Sequence, residues 1–162
     1  MKNVIIYGSN YGYTEECAEK LAAQLEGETV LLNAKRQKIE SVQEYDTVII
    51  GSSVYMGQIH KEVKETCEKL LLEVDGKRIG IFLCGGLPQN YELVLKVSFP
   101  EQMVDQAVAT DFFGGEFRKD KMKLGHKLII GMMKNATDKD GNSGIKAMPE
   151  HIDRFSARMN GR

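Results

Sequence analysis

The sequence predicts an open, doubly wound α/β sheet of five parallel strands with helices on both faces. Short, nearly continuous apolar runs alternate with amphipathic stretches, the pattern of strands buried on both faces and joined by helical crossovers. The crossovers are expected to be right-handed. A length of 162 residues with 42% hydrophobic residues suits one compact domain over 1–162 that needs no disulfide or metal staple.

The elements follow in order. Val4-Ile5-Ile6-Tyr7 reads as a buried first strand ending at Gly8. From Thr14 to Leu25, the residues Cys17, Ala18, Leu21, Ala22 and Leu25 recur at intervals of three and four, and Gly27 stops that helix. Thr29-Val30-Leu31-Leu32 is the second strand, and the polar stretch 35–44 reads as a loop or a short helix. Thr47-Val48-Ile49-Ile50 is the third strand, closed by Gly51-Ser52-Ser53. A helix over 61–72 places Val63, Cys67, Leu70 and Leu71 inward. Asp75-Gly76 turns the chain into a fourth strand over 78–83. A helix is expected over 99–108, with Pro100 in its first turn, and a fifth strand over 110–117.

Composition excludes several classes. The 22 Lys and Arg against 23 Asp and Glu leave a net charge of −1, so no global field draws the protein to nucleic acid. Cys17, Cys67 and Cys84 are odd in number and widely spaced, which argues against a disulfide framework or zinc cluster and for a reducing compartment. His60, His126 and His151 lack metal-ligand spacing, so no metal site is expected. No apolar run approaches the roughly 18 residues of a membrane span, and the opening Met1–Tyr7 run is too short for a signal-peptide core. A cytoplasmic location is expected. One local charge runs against the neutral total: Arg118, Lys119, Lys121, Lys123, Lys127 and Lys134 surround Leu128–Met133. That basic stretch, 118–134, reads either as a packing helix with solvated lysines or as a peripheral contact with the inner face of the membrane.

In such a sheet, ligands bind beyond the carboxyl ends of the strands where the strand order reverses. Three loops fall there. The first, Ser9-Asn10-Tyr11-Gly12-Tyr13-Thr14, joins a strand to a helix start, an arrangement that offers free N–H groups and a favourable dipole to a phosphate. It has neither the Lys of a Walker loop nor a G-x-G-x-x-G, which favours a mononucleotide phosphate over a nucleoside triphosphate or dinucleotide. The same residues also suit a plain helix N-cap through Ser9 or Thr14. The second loop, Ser52-Ser53-Val54-Tyr55-Met56-Gly57, has small residues for a flat ligand to lie against, with Tyr55 and Met56 to cover a ring; otherwise it is a turn with one exposed tyrosine. The third, Cys84-Gly85-Gly86-Leu87-Pro88-Gln89-Asn90-Tyr91, offers backbone groups to the polar edge of a heterocycle and Tyr91 for stacking, or is simply a Gly/Pro loop. A single phosphate-bearing aromatic ligand reaches all three. Cys84 reads as a small residue beneath a ring, and no catalytic residue is singled out.

These loops make the sequence similar to the flavodoxin family. That family's phosphate loop is typically S/T-x-T-G-x-T, and here it reads Ser9-Asn10-Tyr11-Gly12-Tyr13-Thr14, with Tyr11 in place of a hydroxyl residue. Met56-Gly57 stands where such proteins place the side chain flanking the flavin ring and the glycine whose peptide answers to the flavin N5 proton. The resemblance covers residues 1–117 and implies noncovalent FMN, with Ser9–Thr14 on its phosphate and its ring between Ser52–Gly57 and the loop of Cys84, Gly85, Gly86, Asn90 and Tyr91. Beyond Phe117 the chain resembles a narrower branch, the flavodoxin-domain proteins related to menaquinone-dependent protoporphyrinogen IX dehydrogenase. Gly51-Ser52-Ser53-Val54 with Gly57 and His60 is similar to that branch's G-A-S-I-x-x-G-x-x-H, as are Gly114-Gly115-Glu116-Phe117 and Asn135-Ala136-Thr137-Asp138 before a final helix. The loop after the fourth strand lacks that enzyme's long basic insertion. The resemblance implies an FMN-dependent oxidoreductase that passes electrons between its bound FMN and a quinone- or porphyrinogen-like molecule, with a redox partner protein as a further expected partner. A flavodoxin-type electron carrier is the alternative, and Tyr11 leaves room for a binding or regulatory module without flavin.

Overall fold

The computed structural model of the protein describes residues 1–116 and 145–162. Five strands, β1 (Lys2–Gly8), β2 (Glu28–Asn33), β3 (Thr47–Ser53), β4 (Arg78–Cys84) and β5 (Ala107–Phe112), form one sheet in the order β2-β1-β3-β4-β5. Every neighbouring pair is parallel. Alternate strand residues face opposite sides, so each central strand feeds two cores. Val4, Ile6, Val48, Ile50, Ile79 and Ile81 face the layer made by α2 (Lys61–Leu70), α3 (Tyr91–Ser98) and α4 (Glu101–Gln106). Ile5, Tyr7, Ile49 and Phe82 face α1 (Tyr13–Ala22) and α5 (Pro149–Met159). The expected doubly wound sheet with helices on both faces is the fold observed.

The second core is organised by aromatic rings. Phe82 stacks on Phe113 with centroids 4.6 Å apart, and Phe155 meets both edge-on. Gly51, the register partner of Phe82 on β3, makes room for that ring, since a Cβ at Gly51 would lie 2.1 Å from Phe82 Cζ. Gly51 therefore belongs to the strand, and β3 continues through Ser53 rather than closing at Ile50.

The elements depart from expectation in four places. Helix α1 ends at Ala22 rather than Leu25, because α5 claims the following residues. Asn160 Nδ2 donates to the Gln24 carbonyl, Glu26 N–H donates to Asn160 Oδ1, and Ser156 donates to Gln24 Oε1. Gly27, at φ 96°, instead passes the Met1 carbonyl, where a Cβ would come within 2.2 Å of oxygen. Helix α2 ends at Leu70, two residues early. Tyr91, read as the end of the third loop, instead opens α3, and residues 92–98, which carry no sequence assignment, continue it; its exposed face carries Leu93 and Val97, and this hides the helical period. The strand expected over 110–117 starts at Ala107 and ends at Phe112, because β4 pairs with Ala107 through a bulge and Gly114 turns the chain at φ 74°. The basic stretch 118–134, His126 and Asn135–Asp138 lie outside the described residues. Among the described residues no helix is long and apolar enough to cross a membrane.

Gly51→Ala tests the ring packing. Overpacking there is expected to cost about 1–3 kcal/mol in urea unfolding; an unchanged midpoint would mean that Phe82 is free to move aside.

Candidate functional site

Parallel pairing delivers three loops to one edge in fixed register. Gly8 is the partner of Ser52, and Ser53 is the partner of Cys84, so the loops after β1, β3 and β4 emerge side by side.

The first loop turns sharply into α1. Gly12 occupies the left-handed region at φ 92° and its N–H donates to Ser9 Oγ at 2.9 Å. Its carbonyl accepts from Glu16 N–H, which starts the helix. Among the described residues no side chain caps α1, so the N–H groups of Tyr13, Thr14 and Glu15 have no side-chain acceptor there. A plain N-cap through Ser9 or Thr14 is therefore not what the loop forms. Ser9 binds within the loop, while Thr14 Oγ1 is buried and finds no hydrogen-bond partner among the described residues. The Cys84 thiol lies next to Thr14 without completing a bond of proper geometry. Tyr13 opens α1, and its hydroxyl donates to the Phe113 carbonyl at 2.7 Å.

Behind the loop lie two buried thiols. Burial raises the pKa of Cys84 well above the ordinary thiol value, and its hydrogen bond to Cys17 lowers that of Cys17. Cys84 sits under the loops as a neutral small residue.

The second loop is held by His60, which precedes α2. Its N–H donates to Ser52 Oγ at 3.1 Å, and its Nε2 shares a hydrogen bond with Ser53 Oγ at 2.8 Å. His60 also packs on Gly8, where a Cβ would come within 2.9 Å of its ring, so it ties the first loop to the second. Beyond Val54, Tyr55 and Gln58 exchange both backbone hydrogen bonds across a tight two-residue turn. Met56 (φ 52°) and Gly57 (φ 72°) are its corners. Met56 is 67% exposed, and no atom lies within 4 Å of a Cβ built on Gly57. Both corners are exposed.

The third loop closes against two neighbours. The Cys84 carbonyl accepts from Val54 N–H at 2.7 Å, which joins it to the second loop. Gly85 N–H donates to the Gly114 carbonyl at 2.8 Å, and Ile145 covers Gly86 at a separation that leaves no space for a side chain. Asn90 ends a short 3₁₀ turn over Pro88–Asn90 and leads into α3. Tyr91 meets Phe112 edge-on at 6.2 Å, with its hydroxyl buried.

A fourth segment joins the site that the sequence did not single out. The chain after β2 returns beside the first loop, where Ala34 N–H donates to the Tyr7 carbonyl at 2.9 Å. Lys35 and Arg36 thereby join Ser9, Asn10 and Gly12 around a cavity of about 320 Å³. Parallel order was the available signal, since it brings the end of every strand to the same edge. Gly114, Gly115 and Ile145 were missed too, and reach the third loop from distant parts of the chain.

With the sheet order, the uncapped helix and the three loops in place, comparison with known proteins is direct. Residues 4–143 match the family model described as flavodoxin domain. The chain belongs to this flavodoxin-domain family. An uncharacterized protein of Methanocaldococcus jannaschii is 28% identical over 156 residues, covering 94% of this chain and 98% of the relative. Rubredoxin oxygen:oxidoreductase of the anaerobe Desulfovibrio gigas shares the fold with a TM-score of 0.52 and 19% identity over 74% of this chain. This flavodoxin-domain chain spans only 32% of that protein. A flavoprotein of Lactobacillus acidophilus solved in complex with FMN aligns with a TM-score of 0.51 and 16% identity over 68% of this chain and 92% of its own.

His60 gives the site a pH signature. Burial, reinforced by the positive charge of Lys35, lowers its pKa below the ordinary 6.5 in the folded state. The unfolded chain then binds more protons between that depressed value and 6.5, and stability rises with pH wherever that holds. Folding stability is expected to fall as pH drops below about 6.5, and His60→Asn should remove that component. Urea midpoints at pH 7.5 and 5.5 check this; parallel slopes in both proteins would contradict it.

Proposed function

We propose that this protein holds FMN noncovalently and acts as a redox protein. The observation that carries the reading is the uncapped start of α1, with the partnerless buried hydroxyl of Thr14, beside two loops in fixed register. A phosphate would supply acceptors to the first-turn N–H groups and to the hydroxyls of Ser9 and Thr14. Asn10, Tyr11, Gly12 and Tyr13 contribute backbone to that cradle. Ser52, Ser53, Val54, Tyr55, Met56 and Gly57 would flank the ring from one side. Cys84, Gly85, Gly86, Asn90 and Tyr91 would meet it from the other. When bound, FMN supplies one- and two-electron redox chemistry, and the protein sets its position and surroundings.

The chain's own contributions follow from its conformation. The Met56-Gly57 peptide is unhindered on its outer side and can reorient toward a proton on a ring nitrogen. Met56 is placed to cover a ring face with a polarizable side chain. His60, with its pKa held low, fixes the second loop through hydrogen bonds and packs on Gly8 before the first, without adding a positive charge at neutral pH.

Within this reading, an oxidoreductase acting on a quinone- or porphyrinogen-like molecule is our preferred role. The net charge of −1 supports it, since a low-potential carrier gains from a strongly acidic surface that this chain lacks. Family membership supports the second reading, an electron carrier docking on a partner protein. Cytoplasmic location, with contact at the inner membrane face through 118–134, belongs to the first role.

A visible spectrum of the purified protein, before and after addition of excess FMN and desalting, tests the cofactor. Flavin bands should persist, and Gly12→Val should remove them, because a β-branched side chain at φ 92° is strained and intrudes on the phosphate path. A protein that stays colourless in both conditions would overturn the reading. Reduction of a soluble neutral quinone should change by less than about twofold between low and high salt, whereas charge-steered docking slows steeply.

A further inference from the structure

We infer that Lys35 supplies the positive charge that meets the ligand's phosphate at the start of α1, from the segment after β2 rather than from the phosphate loop itself. The inference rests on the FMN reading for the identity of the ligand, and on the geometry around the loop for the residue. The loop holds no lysine or arginine, and Tyr11 occupies a position where the resembling loops carry a hydroxyl. A helix N-terminus contributes only about half an elementary charge. A phosphate monoester at neutral pH carries between one and two, so the loop by itself leaves that charge incompletely balanced.

The fold supplies a cation from next door. β2 pairs with β1 through Tyr7 and Asn33, which sets the following residues alongside the loop. Lys35 Nζ lies 3.4 Å from the Ser9 carbonyl and 3.4 Å from Asn10 Oδ1. Both contacts are near the outer limit of a hydrogen bond, so the ammonium is held over the loop but is not consumed by it. It has three donors, and these two acceptors are neutral.

The other charges of the cavity offset one another. Glu15 accepts from the Tyr7 hydroxyl at 2.6 Å and pairs with Arg36 at 3.5 Å. That hydrogen bond and burial push the Tyr7 hydroxyl up to about 12, so it stays a donor. With Glu15 and Arg36 paired, Lys35 is the remaining charge on the cavity wall among the described residues. Its positive charge also disfavours a proton on His60. The buried, partnerless hydroxyl of Thr14 marks the same helix turn as one that expects an acceptor. The consequence is selectivity: Lys35 favours a phosphorylated flavin over riboflavin, through a salt-dependent interaction.

Fluorescence titration of the apoprotein with FMN and with riboflavin, at two ionic strengths, tests this on the wild type, Lys35→Ala and Lys35→Arg. Lys35→Ala should weaken FMN about ten- to a hundredfold, the range of a lost charged hydrogen bond. It should leave riboflavin within about twofold and flatten the salt dependence, and Lys35→Arg should retain most of the preference. Equal loss for both flavins, or an unchanged affinity for FMN, would overturn the inference while leaving the cofactor reading intact. A wild type that binds neither flavin would overturn the cofactor reading instead. Inorganic phosphate against chloride at equal ionic strength then decides Lys35 alone. A rise in melting temperature that Lys35→Ala abolishes sustains its role, and no difference between the two proteins ends it.

Discussion

The candidate site depends on one constraint, the position of β1 between β2 and β3 in a sheet whose order reverses there. The chain leaves β1 through α1 to pair β2 on one side, then returns to place β3 on the other. The helices on the two sides of that reversal, α1 and α2, pack on opposite faces. The loops after β1 and β3 start side by side at the carboxyl edge of that reversal, the place where such sheets take their ligands. Strands buried on both faces hold the register that lines up Gly8 with Ser52 and Ser53 with Cys84. A one-residue slip would exchange every strand side chain between the two cores, so their packing fixes the loop spacing.

Polar chemistry at the opening is arranged with few side chains. His60 joins two loops by hydrogen bonds to Ser52 and Ser53 and by its packing on Gly8. Left-handed backbone occurs where a turn requires it: at Gly12 to start α1 and at Met56-Gly57 to reverse the second loop. Met56 is the residue of interest here, since a non-glycine side chain in this region carries strain that the surroundings must hold. Its exposure and the open space at Gly57 mark a turn kept free rather than packed.

Much of this was legible in the sequence because both faces of the central strands are covered, which writes Val4–Tyr7, Thr47–Ile50 and Ile79–Leu83 as unbroken apolar runs. The three loops were legible for the same reason, since glycine and hydroxyl residues follow such runs directly. Helix α3 was not, because Leu93 and Val97 are apolar yet exposed and erase its period. The early end of α1 was invisible because its cause, the hydrogen bonds of Gln24 and Glu26 to α5, lies more than 120 residues away. Lys35 and Ile145 reach the site only through tertiary structure: one through β2 pairing on β1, the other by lying over Gly86.

If three loops hold one ligand, as proposed, backbone amide chemical shifts during titration of the apoprotein with FMN should reveal it. Amides of 9–14, 52–58 and 84–91 are then expected all to shift, with a common saturation point. Shifts confined to a single loop, or centred away from this edge of the sheet, would contradict it.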